Sequence, residues 1–185
     1  MRWTSITAFL SAAALAAAVA SQLVGRSDVR GWFLLAWAVL LLPVAVGLLS
    51  HPMRAPAWGL FAGFWGVIAV VGLIVLQALA VTGVLGGKLT AWPLVVIGFW
   101  IIVASVLGFG AERFPVLVDL LGIIAGLALI SIALATGLGN ADLLKVAGLA
   151  SAVTYCLWAL GLAWVFGRMQ RVTHRFRGVA FERRL

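Results

Sequence analysis

Six nearly charge-free apolar runs dominate this chain, at residues 3–24, 32–50, 57–82, 92–111, 115–138 and 143–167. Each is about as long as the roughly 20 residues a helix needs to cross the hydrocarbon core of a bilayer. Backbone polar groups inside a bilayer must be satisfied within the segment, so runs of this kind fold as helices. An outer-membrane barrel is excluded, because its strands alternate apolar with polar residues. Composition agrees: 65% of the 185 residues are hydrophobic and 10% are charged, whereas soluble domains carry about 25% charged residues. The expected fold class is an all-α integral membrane protein, a six-transmembrane-helix antiparallel bundle spanning residues 1–167, followed by a basic tail at 168–185.

The breaks between runs are short and hold the turn formers and charges. They are 25–31 with Arg26, Asp28 and Arg30, 51–56 with Arg54, 83–91 with Lys88, 112–114 with Glu112 and Arg113, and 139–142 with Asn140 and Asp142. Connections this short make sequential helices antiparallel neighbours. With six spans both termini share one side. That side collects Arg2, Arg54, Arg113 and six tail arginines, nine basic residues against four (Arg26, Arg30, Lys88 and Lys145) on the other. The positive-inside rule then places both termini in the cytoplasm. Arginine outnumbers lysine 11 to 2, which together with abundant Ala, Gly and Val suggests a GC-rich genome and a bacterial cytoplasmic membrane. Trp3, Trp32, Trp58, Trp92 and Trp164 fall at the span ends, where an amphipathic indole prefers to lie. A second reading of the first run stays open. Arg2, the apolar stretch at 6–17 and Ala18-Val19-Ala20 have the layout of a cleavable signal peptide.

Small residues mark where membrane helices pack closely. Gly59/Gly63 and Gly122/Gly126 are two GxxxG pairs, and Ala8, Ala12, Ala16 and Ala20 form a stripe on the first helix. Arg54-Ala55-Pro56 and Arg113-Phe114-Pro115 precede those glycine pairs, a faint internal repetition. Pro43 lies mid-span and removes a backbone donor, so a kink is expected in the second helix. The lone cysteine, Cys156, excludes an intramolecular disulfide.

Asp119 is the most informative single residue. About 6 Å inside a helix that begins near Pro115, its short carboxylate is too deep to reach water freely, and intramembrane ionisable residues are functional candidates by default. It reads either as a structural anchor near the positive end of its helix, with Arg113 on the same membrane side, or as a proton, cation or amine site. On the sixth helix Ser151, Thr154, Tyr155 and Trp158 follow i, i+3, i+4, i+7 spacing and share one face. They either satisfy their own or neighbouring backbone or line a small amphiphile or quinone-like pocket that Ser105 and Ser131 would join.

What the sequence lacks narrows the function. The histidines His51 and His174 lie outside the spans, so paired axial haem ligands within them are excluded. Zinc-protease, P-loop and nucleophile-elbow motifs are missing, and no cofactor is expected. The leading expectation is a non-catalytic membrane component or accessory subunit, with a homo-oligomer or membrane-protein partner. The alternative is a small permease or binding protein for a neutral or amphiphilic ligand. In the tail, Arg168, Arg171, Arg175 and Arg177 flank an apolar face of Met169, Val172, Phe176 and Val179. This predicts a surface helix held by anionic lipid, or else a disordered tail that only orients the chain. Nucleic acid is not an expected partner.

Overall fold

A computed structural model describes the backbone of residues 2–49, 56–108 and 115–182, and the side chains within these ranges except at 2, 27–28, 56, 87 and 169–182. The described chain forms six long helices: α1 (Arg2–Leu23), α2 (Ser27–Leu49), α3 (Pro56–Val81), α4 (Trp92–Gly108), α5 (Val116–Leu138) and α6 (Ala141–Glu182). All six are long and apolar enough to cross a membrane. Their limits follow the apolar runs closely because the same residues that interrupt the runs cap the helices. Gly139 ends α5 at φ 66°, and its N–H reaches back to the carbonyls of Ala135 and Thr136. This left-handed cap suits glycine, which has no Cβ to collide with the backbone. Asn140 follows and starts α6, its Oδ1 accepting from the N–H of Leu143 at 3.0 Å, a side-chain N-cap.

One element was not foreseen. The loop ahead of α4 contains a 3-10 turn, Gly87–Ala91, which packs against α3, α4 and α5. Pro93 explains the handover, since proline fits the first turn of a helix but has no N–H to extend a preceding one. The turn lengthens the 17-residue α4 into a 21-residue span, Lys88–Gly108. Pro43 lies inside α2, which continues past it to Leu49.

The helices pack antiparallel as a closed ring, each against its two neighbours in sequence, with α1 and α6 closing it. Trp37, Trp100, Tyr155, Trp158 and Phe166, all essentially inaccessible, fill the interior together with aliphatic side chains such as Leu41, Ile97 and Ile101. The edge of the Trp37 ring meets Tyr155 at 5.5 Å between centroids, so α2 and α6 touch across the interior although they are not ring neighbours. The five tryptophans at the span ends are instead exposed on the outer surface.

Small residues decide how closely the ring draws in. A Cβ at Gly126 would stand 2.5 Å from the carbonyl oxygen of Gly98, and one at Gly98 would stand 2.5 Å from that of Gly126. The α4 and α5 backbones therefore touch, which is possible only without side chains. Gly63 gives room to Leu49 of α2, and Gly59 is buried one turn before it. Between α1 and α6, buried Ala8 and Ala12 permit three polar contacts. Ser5 Oγ donates to Ala163 O at 2.7 Å, Cys156 Sγ to Ala12 O at 3.3 Å, and Ser11 Oγ lies 3.0 Å from the Tyr155 hydroxyl. Loss of α1, as the signal-peptide reading would have it, would open the ring and strip Tyr155 of its partner.

Helix α6 runs on past its span as continuous helical backbone to Glu182. At the junction the Arg168 guanidinium sits over the Trp164 ring, 5.5 Å from its centroid, a cation–π contact. The side chains of Arg171, Arg175 and Arg177 lie outside the described residues.

Candidate functional site

The inward face of α5 carries Val118, Asp119, Gly122, Ala125, Gly126, Leu129 and Ala133, all buried. Helical periodicity thus puts Asp119 at the head of a stripe of small residues, where neighbouring helices approach most closely. Pro115 caps α5 in an extended conformation, and Val118 N–H and Asp119 N–H both reach its carbonyl, at 2.8 and 3.4 Å. The carboxyl therefore stands in the first turn of α5, where the positive end of the helix acts on it.

Three other helices converge on it. A Cβ at Gly108, the last residue of α4, would stand 2.9 Å from Asp119 Oδ1, so the carboxyl rests against the carbonyl end of α4. A Cβ at Gly122 would overlap Ser105 Oγ and come within 2.7 Å of Trp158 Nε1, which puts a hydroxyl from α4 and an indole N–H from α6 over the same bare patch of α5. Asp119, Ser105, Gly108 and Trp158 line a small cavity, with Leu48 of α2 and Leu162 of α6 supplying apolar walls. Its volume is about 20 Å³, enough for one water. Asp119 is only 4% exposed, and its Oδ2 has no hydrogen-bond partner among the described residues. Buried polar atoms are rarely left that way.

The sixth-helix stripe behaves differently. Ser151 Oγ donates to Gly148 O at 2.9 Å and Thr154 Oγ1 to Ala150 O at 2.7 Å, both on their own helix. Tyr155 is held by Ser11, whose own hydroxyl donates to Ala8 O at 2.8 Å. The Tyr155 O–H is then the donor in the pair. Trp158 is the stripe residue that reaches the Asp119 cavity. Of the two serines expected to join the stripe, Ser105 lines the Asp119 cavity, whereas Ser131 bonds back to Leu127 O on α5. Arg113, the expected partner of Asp119, lies outside the described residues.

Ser11, Trp37 and Gly108 complete these clusters without having been singled out in the sequence. Ser11 had a signal, as a hydroxyl set between the inward-facing Ala8 and Ala12, while Gly108 had none beyond closing a span. Gln77 is a further buried polar residue, near the other end of the bundle, where its Nε2 donates to Gly31 O at 3.2 Å. Among the described residues no group of three His, Cys, Asp or Glu side chains could hold a metal ion. No protein-family model, no curated protein and no solved structure matches this chain.

Proposed function

We propose that this six-helix membrane protein is a non-catalytic component of a larger membrane assembly, an accessory subunit whose rigid bundle docks on another membrane protein or a second copy of itself. The observation that carries this reading is the interior of the ring, occupied by Trp37, Trp100, Tyr155 and Trp158 where a permease would need a path. The alternative is a binding protein or small permease, and its support is the unpartnered oxygen of Asp119 beside a water-sized cavity. A cavity of that size does not take an amphiphile, so the alternative applies to a small ligand only.

The bilayer in this reading is a bacterial cytoplasmic membrane with both termini inside, for which the support is the nine-to-four count of basic residues. The tail serves as a second attachment, to anionic lipid, with each arginine near such a surface contributing about 1 kcal/mol. Native mass spectrometry of the full chain released from membranes in gentle detergent tests the function. A stoichiometric partner polypeptide or a homo-oligomer is the expected result, with anionic lipid retained and lost when Arg171, Arg175 and Arg177 are replaced by Gln. A monomer carrying a small ligand would favour the alternative. Cysteines placed in the 25–31 loop should label from the outer face, and labelling from the cytoplasm alone would reverse the topology.

A further inference from the structure

The cavity beside Asp119 has the size and the polar lining of a site for one small occupant. A buried water needs about 10–15 Å³ of space and two to four polar partners. Here the space is about 20 Å³. Asp119 Oδ2 offers an acceptor, Trp158 Nε1–H a donor, and Ser105 a hydroxyl able to do either. Electrostatics then constrains what can travel with that water. The carboxyl rests on the carbonyl end of α4 at Gly108, where a helix carries partial negative charge. The positive end of α5 acts on the carboxyl from its own helix and the negative end of α4 opposes it, so a charge buried in this apolar-walled pocket still calls for a cation or a proton to balance it.

Every element packed on the site bears on this. From α2 the facing residue is Leu48, from α4 Ala104, Ser105 and Gly108, and from α6 Trp158 and Leu162, so among the described residues none of these elements brings a formal charge to the pocket. A described titratable group adjoining the lining is Tyr155, whose ring is 5.7 Å from Trp158 and whose hydroxyl bonds Ser11. The segments following α2 and α4 contain His51, Arg54, Glu112 and Arg113 in sequence. Their positions lie outside the described residues. A metal ion fits less well than a proton, because the Trp158 N–H presents a positive edge to the pocket and the protein supplies few oxygens.

We propose that this pocket is a proton-binding site, in which one water seated between Trp158, Ser105 and Asp119 delivers a proton to the Asp119 carboxylate and takes it back. Hydronium and carboxylate become water and carboxylic acid, and the reverse step returns the proton to water, so charge and atoms balance within the pocket. The site sits at the end of the bundle where α4 ends and α5 begins, which is the end that also bears the tail. Its proton exchange in this proposal is with that side of the membrane, because the buried Trp158, Tyr155 and Trp37 pack ring to ring on the inner side of the site. This inference does not depend on whether the bundle is an accessory subunit.

The test is carbon-13 NMR of the full chain in lipid bilayers with the aspartate side-chain carboxyl labelled. Asp28 and Asp142 are replaced by Asn, so that Asp119 gives the sole resonance without being altered. The expected result is a one-proton titration between about pH 4 and about pH 9, a window bracketing the ordinary carboxylate and imidazole ranges. Trp158→Phe or Ser105→Ala, each removing one partner of the water, should move the midpoint by roughly half a unit to one unit. A resonance fixed in one form throughout overturns the proposal. So does a titration that emerges only with Arg113→Gln, which would mean an ion pair instead of a proton site. A midpoint indifferent to both cavity variants overturns it as well.

Discussion

Tyr155 and Trp158 lie about one turn apart on the inward face of α6, yet the oxygens around them are satisfied in different ways. At Tyr155 the hydroxyl bonds Ser11, Ser11 bonds the carbonyl of Ala8, and Trp37 closes over the ring edge-on. A donor is left over there, the Trp37 indole N–H, which has no partner among the described residues, but the oxygens are all met. At Trp158 a carboxylate oxygen of Asp119 is the atom without a partner among the described residues, and it shares a cavity with Ser105. The first arrangement is how a membrane bundle closes a seam. The second is incomplete without an occupant, since an unmet buried polar group costs about 1–3 kcal/mol, which the one water proposed above would offset. One helix face can thus carry a structural cluster and a functional candidate next to each other, told apart by whether a buried oxygen is left without a protein partner beside a cavity.

The contrast can be broken most forcefully at the floor of the α4–α5 pair. Gly126→Val drives side-chain atoms into the backbone oxygen of Gly98, and backbone cannot swing aside as a side-chain tip can. Overpacking of this kind costs about 1–3 kcal/mol, occasionally more. Reversible unfolding in mixed micelles should register that loss. It should also disturb the Asp119 pocket, which α4 and α5 build, before the Tyr155–Ser11 seam. Loss of the seam first would mean that the two clusters are not independent. A smaller effect is expected at the seam itself. Tyr155→Phe removes one interhelical hydrogen bond, worth roughly 0.6 kcal/mol and up to about 1.7 in a bilayer, and should be read in the same assay. No change would make the seam incidental. The smallest effect belongs to the exposed pair of Lys145 and Asp142, 3.7 Å apart. Asp142→Asn should shift stability by less than about 0.5 kcal/mol, which supplies the baseline and clears that substitution for use as a background.

The bundle was legible in the sequence because each helix is written locally, in an apolar run and the residues that interrupt it. Asp119 was legible for the same reason, as a charge in a place where charge is expensive. Gly122 was visible as half of a GxxxG pair, but that its bare surface lies beneath Ser105 and Trp158 was not. The partner of Tyr155 was not legible either. Ser11 is 144 residues away, and pairing α1 with α6 depends on the ring closing, which no local pattern encodes. How the stripe stands to Asp119 was not legible on the same ground. Spacing puts Ser151, Thr154, Tyr155 and Trp158 on one face, but only the tertiary arrangement reveals that Trp158 is the one of the four lining the cavity beside the carboxyl.

The central claim, that the Tyr155 cluster holds the bundle together whereas the Asp119 carboxylate does not, is tested most directly by unfolding Asp119→Asn beside Tyr155→Phe and wild type under identical conditions. Removing an unpaired buried charge relieves the structure. Asp119→Asn is therefore expected to unfold at the same denaturant concentration as wild type or a higher one, with Tyr155→Phe below both. A stability loss in Asp119→Asn larger than that in Tyr155→Phe would contradict the account, because it would make the carboxylate an anchor that holds the bundle together.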